Sequence, residues 1–516
     1  MEETRTKNTI RNVRAGAIGQ TINKIMIFIV RTVFIKMLNS EYVGINGLFT
    51  NILTILSFAE LGIGTAIIFS MYKPVAEHDH EKIKSLMKLY KKSYTIIGIA
   101  VFILGLSVIP FMGLIVKDTT NIKENINGIY ILFLLNTSIS YFFSYKKSII
   151  YAHQKQSVID NLDCIFYVLK SLVEIVFLVL TRNFYAYLVI EIIATIIANI
   201  TISIKASKMY PYLKEKNVKP LERRESKGIF NNVRSLVIYK LGGIIMNGTD
   251  NILISAMIDL KTVGLCSNYS MLINAVKTIL VYALNGVTAS VGNLNVVGEA
   301  KQKEKVFYQI TFVNYVVFSC GAIAFIVLLN PFIKIWLGAE YILGLSILIA
   351  LSVSFWIEGI RTPGYTYRTT LGLFQKAKST PYIGALANIV LSIVLGRIYG
   401  VLGIFIATSV AQVVSYSWID PYLIHKYEFK TPVSKYYKKF IIYVVIFAIT
   451  TVLSVVIASF INFNWIIDFI LKIIVVCMVP NIINVIIFRK SEEFIELKNK
   501  IVMPIVNNIK KKFTRK

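Results

Sequence analysis

Gln20, Lys24 and Arg31 fall on one stripe of a predicted helix, because seven residues turn an α-helix by about 700°, within about 20° of two full turns. The surrounding residues are almost wholly apolar. A second stripe carries Lys240, Asn247, Asp250 and Asn251, and two further segments offer Asn46, Thr50, Ser57 and Glu60, and Ser270, Asn274, Lys277 and Asn285. An ionisable group inside a membrane costs about 2.5–3.5 kcal/mol on insertion scales, so it faces a cavity or a partner. The expectation is a cavity holding Lys24, Arg31, Lys240 and Lys277 against Glu60 and Asp250. A planar, permanently charged guanidinium fork suits a phosphate or pyrophosphate, so the implied substrate is anionic. Lys36 and Lys472, near span ends, read instead as snorkelling or paired cations.

Asp160, Asp163, Lys170 and Glu174 share another face, with Lys170 and Glu174 at i,i+4 where they neutralise one another. Two readings stand: an ion pair packed between helices, or a site coupling transport to a proton or sodium gradient, since a carboxylate taken out of water holds its proton more tightly. Glu191 and Glu358 are further carboxylates of this kind. Other motifs concern shape: Glu60-Leu61-Gly62-Ile63-Gly64 permits close helix approach or a bend, and Gly242-Gly243 and Pro363-Gly364 mark kinks. There is no zinc motif, P-loop or nucleophile elbow, so no enzyme site, metal or cofactor is expected. Cys164, Cys266, Cys320 and Cys477 are far apart and read as small buried hydrophobes.

These residues must be positioned by membrane helices. The chain has 516 residues, 55% hydrophobic, only 16% charged, with a mean hydropathy of +0.64; a soluble chain carries about 25% charged residues. Spans of about 20 apolar residues, enough to cross about 30 Å of hydrocarbon, are predicted at 14–37, 44–71, 93–116, 127–145, 158–180, 184–204, 235–257, 262–290, 307–329, 342–360, 380–396, 399–423, 440–461 and 465–488. They are helices, since the backbone must satisfy its own hydrogen bonds in lipid and barrel-type alternation is missing. The first span lacks a cleavage site and is expected to be retained.

The net charge of +28 follows the same topology. With the amino terminus inside, about 43 of the 56 Lys and Arg residues lie in inside segments, among them the 205–234 connection and the loops 291–306, 361–378 and 424–439; about 6 lie outside and about 7 within the membrane. Both termini are predicted to be cytoplasmic. The positive-inside bias accounts for the basic loops, and nucleic acid is not needed as a partner.

The two halves match at a nearly constant offset. Val43-Gly44-Ile45 corresponds to Val263-Gly264-Leu265, Glu81-Lys82-Ile83 to Glu304-Lys305-Val306, and Gln154-Lys155 to Gln375-Lys376. The expected fold is all-α and polytopic: about 14 transmembrane helices, in two parallel six-helix lobes related by a pseudo-twofold axis plus two extra carboxy-terminal helices. The lobes are 1–206 and 233–424, separated by a basic linker 207–232 and followed by spans 13 and 14 (425–488) and a basic tail 489–516. Parallel repeats of this kind enclose a cavity that opens to either side by rocking.

The segments Leu38-Asn39-Ser40-Glu41-Tyr42-Val43-Gly44-Ile45-Asn46-Gly47-Leu48-Phe49 and Phe58-Ala59-Glu60-Leu61-Gly62-Ile63-Gly64-Thr65-Ala66-Ile67, with Tyr72-Lys73-Pro74 leading into the His78–Lys92 loop, resemble the multidrug/oligosaccharidyl-lipid/polysaccharide exporter superfamily, and within it the Wzx-type polysaccharide flippases. The likeness spans the chain, though its motifs sit mostly in the first lobe. It implies alternating-access transfer of an undecaprenyl-pyrophosphate-linked oligosaccharide repeat unit from the cytoplasmic to the outer leaflet of a bacterial plasma membrane, for capsule or exopolysaccharide, alongside a polymerase and assembly proteins. Pyrophosphate would meet the cationic cavity, sugars the Asn, Ser and Tyr lining, and the prenyl tail lipid or a groove at spans 13 and 14. The rivals are a peptidoglycan lipid II flippase and a multidrug exporter of the same fold; the cation excess argues against the second. A scaffolding protein would not need paired cationic stripes.

Overall fold

The computed structural model describes residues 5–117, 121–215, 218–373 and 376–499. Its helices are α1 (Arg5–Met37), α2 (Ser40–Leu56), α3 (Glu60–Ala76), α4 (His80–Leu106), α5 (Met112–Ile115), α6 (Ile126–Ser144), α7 (Lys147–Ala152), α8 (Gln156–Thr181), α9 (Phe184–Met209), α10 (Arg223–Gly248), α11 (Asp250–Met257), α12 (Leu260–Val297), α13 (Ala300–Trp336), α14 (Leu345–Thr370), α15 (Thr380–Tyr399), α16 (Val401–Gln412), α17 (Trp418–Ile424), α18 (Ser434–Ser459), α19 (Trp465–Phe488) and α20 (Glu492–Leu497). No strand occurs among the described residues. Helix starts are fixed by side-chain caps: Asn39, Asp79, Asn125, Asn183 and Asn464 each accept a hydrogen bond from a backbone N–H of the first turn, at 2.9–3.3 Å.

Eleven helices among the described residues are long and apolar enough to cross a membrane, and each coincides with an expected span. The chain is a multi-pass integral membrane protein. The other three expected spans, 44–71, 235–257 and 262–290, are occupied by α2–α3, α10–α11 and α12, which carry the polar stripes. Two of these are interrupted. A 3₁₀ turn, Ser57–Ala59, separates α2 from α3 immediately before Glu60, and Thr249 separates α10 from α11 immediately before Asp250. Each acid thus occupies the first turn of a new helix, where the helix dipole favours negative charge.

Several boundaries depart from expectation: α4 starts at His80 and α10 at Arg223, each more than ten residues before the expected span, and one further change bears on the site. The segment 361–378, predicted as an inside loop from its cations, is helical as far as Thr370: α14 runs through Pro363, expected as a kink, without ending. A transmembrane helix tolerates proline where neighbouring elements cover the freed carbonyl, and Pro363 is buried.

The chain forms two compact units, Met1–Ser267 and Asn268–Lys516, so that α10 and α11 pack with α2 and α3 in the first. In that unit α2 crosses the start of α12 at backbone contact. A Cβ on Gly44 would lie 2.2 Å from the carbonyl oxygen of Leu260, and a Cβ on Gly264 2.0 Å from that of Ser40. Only glycine allows this approach. The contacts are reciprocal at an offset of 220 residues, as a local two-fold axis requires, and a Cβ on Gly47 would meet Ser267 at the same offset, 2.8 Å away. The caps repeat too: Asn39 accepts from the Tyr42 N–H and Asp259 from the Thr262 N–H, at 3.3 and 2.6 Å.

The connection between α9 and α10 folds back on α4. Ser85 donates to the Lys219 carbonyl (2.6 Å), Lys88 to that of Val218 (3.3 Å), and Lys84 reaches Glu215 at 2.5 Å. His80 stacks on Tyr212 and His153 on Tyr210, with ring centroids 4.2 and 4.3 Å apart. In the second unit α13 packs on α14, α18 and α19, and α15 on α16.

Candidate functional site

In the first unit, α2, α3, α6 and α9 enclose a cavity of about 420 Å³. Asn46, Thr50, Thr54 and Ser57, three or four residues apart on α2 and the turn after it, supply one wall; Asn136, Thr137 and Tyr141 of α6, Glu60 of α3 and Glu191 of α9 supply the others. Amides, hydroxyls and carboxylates at this density match the many donors and acceptors of a polyhydroxylated ligand. Tyr94 and Tyr141 donate to the two oxygens of Glu60, at 3.1 and 2.8 Å, and Tyr90 donates to the Tyr94 hydroxyl at 3.0 Å. Gly64 makes room for this chain: a Cβ there would lie 2.9 Å from the Tyr90 hydroxyl and 3.2 Å from that of Tyr94.

A charged cluster lies beside the cavity. The Lys170 ammonium is 3.4 Å from Glu174 on its own helix and 3.2 Å from Glu191 on α9, and it sits 5.4 Å above the Tyr167 ring. Glu174 is buried, whereas Glu191 reaches the cavity. Arg31 of α1 is partly buried, and its electrostatic neighbours are the hydroxyls of Tyr187 and Tyr167. Phe34, one turn further on, packs edge-on against Tyr187 and Phe184, with centroids 5.3 and 5.6 Å apart. Among the described residues neither Arg31 nor Lys24 has a carboxylate partner.

The remaining predicted residues are dispersed. Gln20 is exposed on α1, and Asn251 lies where a Cβ on Gly47 would come within 3.4 Å of its amide nitrogen. Asp250 begins α11. Asp163 pairs with Lys147 of the short helix α7 at 3.1 Å. Lys36 is exposed and Lys472 pairs with Asp468 at 2.7 Å. The side chains of Lys240, Asn247 and Asn285 lie outside the described residues. Asn274 is exposed in the second unit, where Lys277 pairs with Glu358 at 2.6 Å.

The second unit holds a cluster that sequence reasoning missed. Glu358 also faces Arg361 at 3.9 Å; the Arg361 guanidinium lies 4.6 Å over the Tyr416 ring; and Arg368 pairs with Asp420 at 2.7 Å, both fully buried. Residues 413–417 form a π-helical turn between α16 and α17, which carries Tyr416. The signal was present: Arg361 and Arg368 repeat at i,i+7 as Lys24 and Arg31 do, but only if the helix continues past Pro363.

Outside the spans, burial pushes the His153 imidazole down to about 4, with Lys155, His78 and His80 adding like charge.

Residues 9–289, more than half of the chain, match the family described as "Polysaccharide biosynthesis protein". No curated protein sequence matches the chain. Among solved structures, the lipid II flippase MurJ in an inward closed conformation superimposes with a TM-score of 0.64 at 16% identity, over 92% of this chain and 98% of that one. An inward-facing multidrug resistance MATE family transporter of the MOP superfamily gives 0.61 at 15% identity, over 77% and 93%. At these identities the likeness is one of fold.

Proposed function

From the premise that the chain belongs to the polysaccharide biosynthesis protein family of membrane transporters and flippases, we propose that its cargo is an undecaprenyl-pyrophosphate-linked oligosaccharide repeat unit. The protein carries it by alternating access from the cytoplasmic to the outer leaflet of a bacterial plasma membrane, for capsule or exopolysaccharide, with both termini in the cytoplasm and a polymerase acting on the product.

The observation that carries this reading is Arg31. Lys170, Lys277, Arg361, Arg368 and Lys472 each have a carboxylate partner, whereas Arg31 and its stripe neighbour Lys24 have none among the described residues. A cation held unpaired in a low-dielectric site costs several kcal/mol, and an anionic cargo recovers that cost. The cavity of amides and hydroxyls suits the sugars. Lys240, Asn247 and Asn251 complete the cargo-binding set of the proposal in the first unit, and Lys277 and Asn274 are its candidates in the second.

Two carboxylates in the cavity are what a cationic drug would use, and on that ground a multidrug exporter is the second reading. Both carboxylates already have partners, Glu60 two tyrosine hydroxyls and Glu191 the Lys170 ammonium that it shares with Glu174. Coupling to a proton or sodium gradient falls to Lys170, Glu174 and Glu191, where one cation faces two acids; Asp163, Asp250 and Glu60 are secondary candidates.

The test is the fate of lipid-linked repeat units in cells deleted for this chain. Accumulation on the inner leaflet, relieved by the wild-type chain and not by Arg31→Ala, supports the proposal. Normal surface glycan with arrested peptidoglycan synthesis assigns lipid II instead, and drug sensitivity alone assigns the exporter.

A further inference from the structure

The second unit contains a feature that the cavity of the first does not use. Between α14 and α16 lies an apolar groove of about 440 Å³, walled by Ile349, Val353 and Ile357 on one side and Ile406, Val410 and Val413 on the other. Along α14 the wall runs from Ser346 to Ile357 and along α16 from Leu402 to Val413, each about 16 Å of helix, or half the hydrocarbon thickness. The groove does not end in lipid. Glu358 follows Ile357 directly and Arg361 stands one turn beyond it, and the π-helical turn that begins at Val413 brings Tyr416 under the Arg361 guanidinium.

At that end three cations, Lys277, Arg361 and Arg368, face two carboxylates. Asp420 pairs with Arg368 at 2.7 Å, both sealed from solvent, and Arg361 is its more distant electrostatic neighbour. Glu358 lies 2.6 Å from Lys277 but 3.9 Å from Arg361, so the second cation is poorly matched, and the Arg361 Nε is buried with no hydrogen-bond acceptor among the described residues. An apolar channel that ends at an under-neutralised guanidinium is complementary to an amphiphile with a long hydrocarbon tail and an anionic head. A neutral lipid would leave the Arg361 Nε unmet, and a soluble phosphate would leave the groove unfilled.

We propose that the α14–α16 groove is a second, separate station for the cargo, at which the polyprenyl tail lies in the groove and the pyrophosphate meets Arg361 and Lys277 rather than Arg31. This rests on the lipid-linked cargo proposed above and places the tail in the second unit between the tenth and twelfth spans, away from spans 13 and 14. The direction is consistent. By the charge rule α14 runs from the outer side toward the cytoplasm, so the cluster lies on the cytoplasmic side of the groove, and a lipid of the inner leaflet enters with its head at Arg361 and its tail pointing outward.

The experiment uses the purified full chain in detergent with a polyprenyl pyrophosphate, free of sugars, bearing a diazirine in its tail. Adducts are expected within 346–357 and 402–413. An excess of unlabelled polyprenyl pyrophosphate should abolish them while uncharged polyprenol does not, and Arg361→Ala should lower the yield about tenfold with Arg361→Lys in between. Adducts at 440–488, or a yield indifferent to Arg361 or matched by a diacyl phospholipid diazirine, overturns the assignment. Adducts in the groove from a chain whose deletion leaves glycan export intact would defeat the cargo proposal instead, so the two failures are distinguishable.

Discussion

Lys170 of α8 holds Glu191 of α9 at 3.2 Å while remaining 3.4 Å from Glu174, so one ammonium serves two carboxylates and one of these lines a polar cavity. Three charges of this kind sum to −1 unless a proton or a metal cation joins them. Converting either acid to its amide satisfies the lysine with a single carboxylate. Glu191→Gln and Glu174→Gln are therefore expected to fold normally while their transport ceases to respond to dissipation of the proton or sodium gradient. Lys170→Met, which leaves the buried Glu174 and the partly exposed Glu191 unpaired, should instead lower stability by about 3 kcal/mol, measured as a fall in melting temperature of the purified protein. Unchanged gradient dependence in both amide variants would assign the triad a purely structural role.

Arg31→Ala separates stability from transport. Removing a cation that lacks a carboxylate partner among the described residues should raise the melting temperature, by the equivalent of about 1 kcal/mol, and abolish glycan export. Arg31→Lys keeps the charge without the planar fork and should export partially. A destabilised, export-competent Arg31→Ala protein would remove Arg31 from the cargo site.

The tyrosines around Glu60 depend on Gly64. A methyl group there would stand 2.9 Å from the Tyr90 hydroxyl, displacing the chain that ends on the carboxylate. Gly64→Ala and Tyr94→Phe should each cost about 1.5–3 kcal/mol, the range for a hydrogen bond to a charged group. Their combination should cost little more than either alone, because both break one chain. Thermal melts of the single and double variants check this.

The histidine stacks against the α9–α10 connection give a pH dependence. The folded-state His153 value of about 4 lies below its ordinary 6.5, so the unfolded chain takes up the proton first. The stability this group contributes is complete above about pH 6.5 and is lost as pH falls toward 4. Melting temperature should therefore decline across that interval, and His153→Phe, which keeps a ring to stack on Tyr210, should flatten the decline.

The fold was legible because hydropathy and length are local. Eleven predicted spans coincide with apolar helices, and the stripe Asn46, Thr50, Ser57 and Glu60 does line one cavity. What the sequence could not supply were partners fixed by packing. Tyr90, Tyr94 and Tyr141 look like ordinary aromatic lining until α4 and α6 close on Glu60. Lys277 reads in the sequence as a cavity cation set against Glu60 and Asp250, but its partner is Glu358, which arrives from another helix. Arg361 and Arg368 were hidden by reading 361–378 as an inside loop, so Asp420, within the expected span 399–423, had no visible partner.

The contact between Gly44 and Gly264 bears on how such a chain changes over time. A single unfused half would have to associate as an isologous dimer, in which position 44 faces the backbone of its own copy. Every substitution there would then be felt twice. Joining the halves in one polypeptide splits that position into two, so a change at Gly44 need not be matched at Gly264. The tight crossing is where this freedom is least usable, since each glycine still abuts main-chain atoms of the other repeat.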